Sequence, residues 1–177
     1  MQVTNENNRI TGFHRGVVMD NNDPEKWGRC RINVHGFFDD ITETSHLPWA
    51  APILPLWSGA GAGHGWFSVP DVGTTVMCFF EAGDIYQPVY FGEAPDGVRG
   101  HPAEGDTNYP NRRGFKTGGG HIIFIDDTAD IIQIEHNEGS LIQITPTVLK
   151  LTKAGASIEI DASGNITISG TKVDINP

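Results

Sequence analysis

The C-terminal third of the chain contains HIIFIDDTADIIQIEHNEGSLIQI at residues 121–144 and VLKLTKAGASIEIDASGNITIS at residues 148–169. Apolar residues recur in pairs two apart: Ile123/Ile125, Ile132/Ile134, Ile142/Ile144, Leu149/Leu151, Ile158/Ile160, Ile166/Ile168 and Val173/Ile175. Successive pairs stand 9, 10, 7, 9, 8 and 7 residues apart. Between them lie Asp126-Asp127, Asn137-Glu138-Gly139, Pro146, Gly155 and Ser163-Gly164-Asn165. A spacing of two puts each pair on one side of a strand, and the intervening residues are turn formers. Residues 114–177 therefore read as a series of short strands, each with one apolar face.

Such a meander cannot bury its apolar face alone. A fully buried Ile or Leu contributes about 2–3 kcal/mol, while ordering costs about 1–2 kcal/mol of backbone entropy per residue. The segment has no cysteine and no facing layer. Three copies around a common axis solve the problem. Each turns its Ile and Leu face inward, and closure removes the exposed strand edges. A one-chain β-helix needs longer repeats. The expectation is an intertwined homotrimer with these fourteen residues on its axis.

Upstream the grammar changes. Gly12–Asp20, Gly28–Phe38, Trp49–Leu54, Thr74–Glu81 and Gln87–Gly92 read as five strands, the third weakened by Pro48, Pro52 and Pro55. Cys30, Ile32 and Val34 alternate with polar residues, and Val76, Cys78 and Phe80 share a face. Five strands in this length suit a small barrel of the oligonucleotide/oligosaccharide-binding (OB) type. The expected division is an N-terminal arm at 1–10, an OB-fold-like barrel at 11–93, a Pro/Gly-rich linker at 94–113 and a β-helical spike at 114–177. The fold class is all-β.

Bulk properties narrow the function. Twenty-two acidic residues against twelve Lys and Arg give a net charge of −10, which repels nucleic-acid phosphates. No apolar run is long enough for a membrane helix, and residues 1–9 lack the apolar core of a signal peptide. Synthesis in a cytosol is expected, so Cys30 and Cys78 read as buried thiols in preference to a disulfide.

Three stretches resemble the central spike proteins of phage contractile tails and of type VI secretion. Gly28-Arg29-Cys30-Arg31-Ile32-Asn33-Val34 is similar to the second barrel strand of that family. Pro70 to Gly73, Val76, Gly83-Asp84, and Pro88 to Gly92 resemble its barrel signature. Gly114-Phe115-Lys116-Thr117 and Gly118-Gly119-Gly120-His121 resemble the entry to its needle. The resemblance implies a trimeric triple-stranded β-helix needle below an OB barrel. It implies a tail hub protein as partner on the barrel side and the host outer membrane at the C-terminal tip. A separate tip-capping protein is a further implied partner, and the location implied is the baseplate of a virion. The rival implications are a type VI secretion-like spike and a hub adaptor whose β-tail only trimerises it. Some family members carry a lysozyme domain between barrel and needle; residues 94–113 leave no room for one. Some short spikes bind iron through a terminal His-x-His; Ser169 to Pro177 contains no histidine.

No residue combination reads as catalytic, and no cofactor is expected. Gly59 to Gly65 lacks the Lys-Ser/Thr of a phosphate loop and reads as a barrel loop. Asp126, Asp127 and Asp130 read as a solvated turn. His121 and His136 share the parity of the inward face, which makes them the candidate ligands for an axial ion. Trp49, Trp57, Trp66 and Phe67 form either a stacking surface for sugar or nucleic acid or, by preference, core or hub contacts.

Overall fold

The computed structural model describes residues 9–55, 63–95 and 100–174. Trp57, Ile175, most of the Gly59–Gly65 loop and the terminal arm before residue 9 lie outside them. The chain divides into two compact units, 1–100 and 101–177.

The first unit contains β1 (His14–Asp20), β2 (Cys30–Val34), β3 (Trp49–Pro52), β4 (Thr75–Phe80) and β5 (Pro88–Glu93). They form a closed barrel in the order β1-β2-β3-β5-β4, with β4 pairing back onto β1. The three prolines shorten β3 to four residues, yet it still pairs antiparallel with β2 and parallel with β5. Inward-facing Val18, Cys30, Ile32, Val34, Val76, Cys78 and Phe80 form the core with Phe38, Leu47, Ala50 and Tyr90. Both thiols are buried and unbridged. Burial pushes Cys78 up to about 12 and raises Cys30 as well, so neither is a nucleophile at neutral pH.

The turn that follows β1 is built around one carboxylate. Asp23 is buried and accepts hydrogen bonds from the backbone N–H groups of Glu25, Trp27 and Arg29. It also takes the Arg29 guanidinium at 2.7 Å. The Arg29 side chain, followed by these N–H donors, holds Asp23 well below the usual carboxylate range. Gly16 on β1 answers a close approach: a Cβ there would stand 2.6 Å from Ile32 Cγ2 and 2.9 Å from the Asn33 carbonyl.

The second unit is a seven-stranded antiparallel meander in chain order. Its strands are β6 (Arg112–Lys116), β7 (Ile122–Asp126), β8 (Ile131–Glu135), β9 (Leu141–Ile144), β10 (Val148–Lys153), β11 (Ala156–Asp161) and β12 (Ile166–Ser169). Six of them carry the apolar pairs read from the sequence. The seventh, β6, begins two residues inside the stretch read as linker. Val173 lies after the last strand.

Asp126 is not a solvated turn residue: it is 6% exposed. Its carboxylate caps the β7–β8 turn through the N–H groups of Thr128 and Ala129 and accepts both Asn108 Nδ2 contacts, at 2.9 and 3.2 Å. The Ala129 N–H, then Asn108, lowers its pKa. Asp127 pairs with Arg113.

Candidate assembly interface

Strand register turns the seven short strands into two continuous apolar rows. One runs Ile125, Ile132, Ile144, Leu149, Ile160, Ile166 across β7 to β12. The other runs Ile123, Ile134, Ile142, Leu151, Ile158, Ile168. Phe115 on β6 extends the second row, opposite Ile123. In the single chain these twelve Ile and Leu residues are 36–65% exposed. Alternation sends the residues between them to the other side. That side shows Gln133 opposite Gln143, and Lys150 opposite Glu159 with an ion pair of 3.0 Å. The two rows leave a continuous apolar face open to water in the single chain. Its curvature leaves an open groove of about 580 Å³ whose lining includes Ile134, Ile142, Leu151, Ile158 and Ile168.

The two histidines meet at one end of this face. Antiparallel pairing of β7 with β8 brings the His121 and His136 rings to 4.4 Å between centres. Each Nδ1 accepts a backbone N–H, from Asn137 at 3.4 Å and Glu138 at 3.2 Å. In that tautomer the proton sits on Nε2, which then donates and has no lone pair for a metal. Among the described residues no three His, Cys, Asp or Glu side chains converge on one point.

Among the described residues of the barrel, two aromatic groups face outward, with Phe13 and Trp27 exposed and Phe79, Phe91 and Trp49 half-buried. Phe13, Phe79 and Phe91 cluster on the outer side of β1, β4 and β5, with ring centres 5.3–6.4 Å apart. Trp27, Arg29, Trp49 and Arg31 interleave on the outer side of β2 and β3. The expectation of core packing fails for Trp66 and for Phe67, both exposed, Phe67 at 75%. Trp27 and the Phe cluster were not singled out by sequence. Their signal was available in part, since Phe79 and Phe91 occupy the parity opposite the core residues Cys78 and Tyr90.

A closed five-stranded barrel in this order, with an all-β tail and almost no helix, defines an OB-type protein. Residues 14–94 match the family model described as the type VI secretion system/phage-baseplate injector OB domain. The match covers the barrel, residues 14–94, and supports a phage-baseplate spike-related protein with a baseplate-associated structural role. No curated relative matches the chain.

Proposed function

We propose that three copies of this chain close their isoleucine faces around one axis to form a rigid needle. The needle breaches the bacterial outer membrane when a contractile tail fires. The observation that carries this reading is the pair of apolar rows left open to water in the single chain. Covering the remaining half of each side chain contributes about 1 kcal/mol, hence on the order of 10 kcal/mol per chain. Three chains together gain on the order of 30 kcal/mol, against roughly 4–15 kcal/mol lost per association step. Only a closed arrangement covers every copy equally, and cyclic symmetry is the usual way a homo-oligomer does so.

The mechanism is mechanical and not enzymatic. Sheath contraction supplies the force, and a slender prism delivers it to a small area of membrane. Continuous strand pairing along β6 to β12 resists bending, and the dry interior resists splaying. The barrel side meets the tail hub, and the C-terminal end meets the membrane, bare or under a separate capping protein. The location is the baseplate of the virion.

Light scattering on the purified chain tests the assembly. A mass of roughly 58 kDa, three times the 19.2 kDa chain, is expected. A 19.2 kDa species would remove the basis of the proposal. A tip-truncated needle, in an outer-membrane leakage assay, then separates piercing from mere trimerisation. It should keep hub binding and lose leakage; unchanged leakage would sink the piercing role.

A further inference from the structure

Aromatic and cationic side chains alternate along the outer wall of β2 and β3. Arg29 Cζ lies 5.1 Å from the Trp27 ring centre and 5.7 Å from that of Trp49. Arg31 Cζ lies 4.6 Å from Trp49. Arg31 and Trp49 are cross-strand partners, so both point outward while neighbouring Cys30 and Ala50 point into the core. Trp27 heads the row from the β1–β2 loop and is 68% exposed.

This ladder is held in place by the loop itself. Asp23 accepts the Trp27 N–H at 2.9 Å and grips the Arg29 guanidinium through Nε at 3.1 Å and Nη2 at 2.7 Å. Arg31 Nη1 is tied to the carbonyls of Thr44 at 3.1 Å and Leu47 at 3.0 Å. Two indoles are thus fixed by guanidiniums that are themselves fixed, an arrangement that binds a flat partner at little entropic cost. The strand 2–3 face and the loop between the first two strands are also where barrels of this architecture take extended oligomers.

We propose that the Trp27–Arg29–Trp49–Arg31 ladder is a binding site for a neutral oligosaccharide. Charge selects this class over nucleic acid. The two guanidiniums already face three carboxylates: Asp23 at 2.7 Å, Glu25 at 3.4 Å and Asp20 at 3.9 Å. The site therefore has no positive charge left for a phosphate backbone, and the chain as a whole carries −10. A hexose presents an apolar C–H face to stack on an indole and hydroxyl edges to hydrogen-bond. The side chains of Glu25 and Asp20 are 52% and 36% exposed at the rim, and their oxygens accept from such hydroxyls. Every residue in the site belongs to the barrel, so the site stands whether or not the tail assembles as described.

The test is saturation-transfer NMR and tryptophan-fluorescence titration of the full-length protein with cellohexaose, maltohexaose and chitohexaose, with oligo-dT as the anionic control. At least one hexaose should bind saturably at concentrations up to about 10 mM, and Trp27→Ala should weaken it by about tenfold, the loss of one stacked ring. Trp27→Phe keeps a stacking face and should retain most of the affinity. The proposal is overturned if no hexaose binds, if Trp27→Ala leaves the affinity unchanged in a protein of wild-type melting temperature, or if oligo-dT binds more tightly. It is equally overturned if acrylamide quenches wild type and Trp27→Phe alike, because the ring would then be covered by protein.

Discussion

Gln143 and Ile144 are neighbours on β9 that face opposite sides of the sheet, and the difference between them tests the inward face at a single residue. Ile144→Asp places three carboxylates inside the proposed trimer. Each uncompensated buried charge costs several kcal/mol, and like charges at short range add to it, so assembly should fail at neutral pH. Burial and mutual repulsion raise the pKa of these carboxyls, so assembly should return in part as pH falls towards about 4. Gln143→Asp lies on the side of Lys150 and should assemble normally. Light scattering and SDS resistance of both variants decide the matter; the reverse outcome would mean the faces are inverted. Asp23 makes a second residue-scale prediction. Its folded pKa is depressed, so its contribution is fully present above the unfolded value of about 3.9 and is lost as pH falls below it. The barrel's melting temperature should drop steeply between about pH 4 and pH 2. Asp23→Asn should melt lower at neutral pH and show a flatter acid slope. All four tryptophans lie at or before position 66, so their fluorescence follows the barrel alone. A parallel acid slope in the variant would show that another carboxylate dominates. At this scale the sequence was an uneven guide. Parity placed Ile144 and Gln143 on opposite faces, but it could not reveal that His121 and His136 touch, because that depends on the register of the β7–β8 hairpin. Nor could it reveal that Asp126 is buried, because its partner Asn108 comes from a stretch with no strand signal.

The strands of the second unit were readable because each contributes an apolar pair at spacing two, and six of the seven were found this way. β6 was not, since Arg112-Arg113-Gly114-Phe115-Lys116 carries one large apolar residue and two arginines. Its pairing is decided by β7: Gly114 sits where a Cβ would lie 2.0 Å from the Ile123 carbonyl and 2.2 Å from Phe124. Arg112 then covers the Phe124 ring at 4.6 Å. Gly114→Ala should therefore detach β6 from β7 while leaving β8 to β12 paired. Hydrogen exchange should show lost protection at residues 112–116 and at the β7 amides that donate to them, with β8 to β12 unchanged; protection lost across the whole sheet would show that β6 is needed to form it. The barrel strands were readable for the complementary reason, one buried face of Val, Ile, Cys and Phe in strict alternation. Only β3 escaped a clear signal. Pro52 removes a ladder donor and Pro48 and Pro55 flank the strand, which survives because two backbone pairs to each neighbour suffice to close the barrel. On β10 the same alternation makes a tolerant position. Lys150→Glu opposes Glu159 with a like charge on the outer side, which costs no more than about 1 kcal/mol. Such a variant should keep the wild-type mass.

For the whole molecule, the two units have different sources of stability, and unfolding should separate them. The barrel has its own buried core. The sheet of the second unit exposes its apolar face in the single chain, so in the proposed trimer its strands and its oligomeric state should be lost together. In the proposed trimer the axial contacts are shared, so parting the chains would require most of those contacts to break at once, which predicts a high barrier and kinetic stability. Heating should first change the tryptophan signal of the barrel while far-UV circular dichroism keeps the β signal of residues 101–177. At that stage the protein should still run as an oligomer in SDS without boiling. Limited proteolysis after the first transition should yield a resistant fragment containing β7 to β12. The second transition should move to higher temperature at faster scan rates, as expected of a barrier rather than an equilibrium. If both signals are lost in one scan-rate-independent step, or if the chain runs as a monomer before the barrel melts, the isoleucine rows are not the seam that holds three copies together.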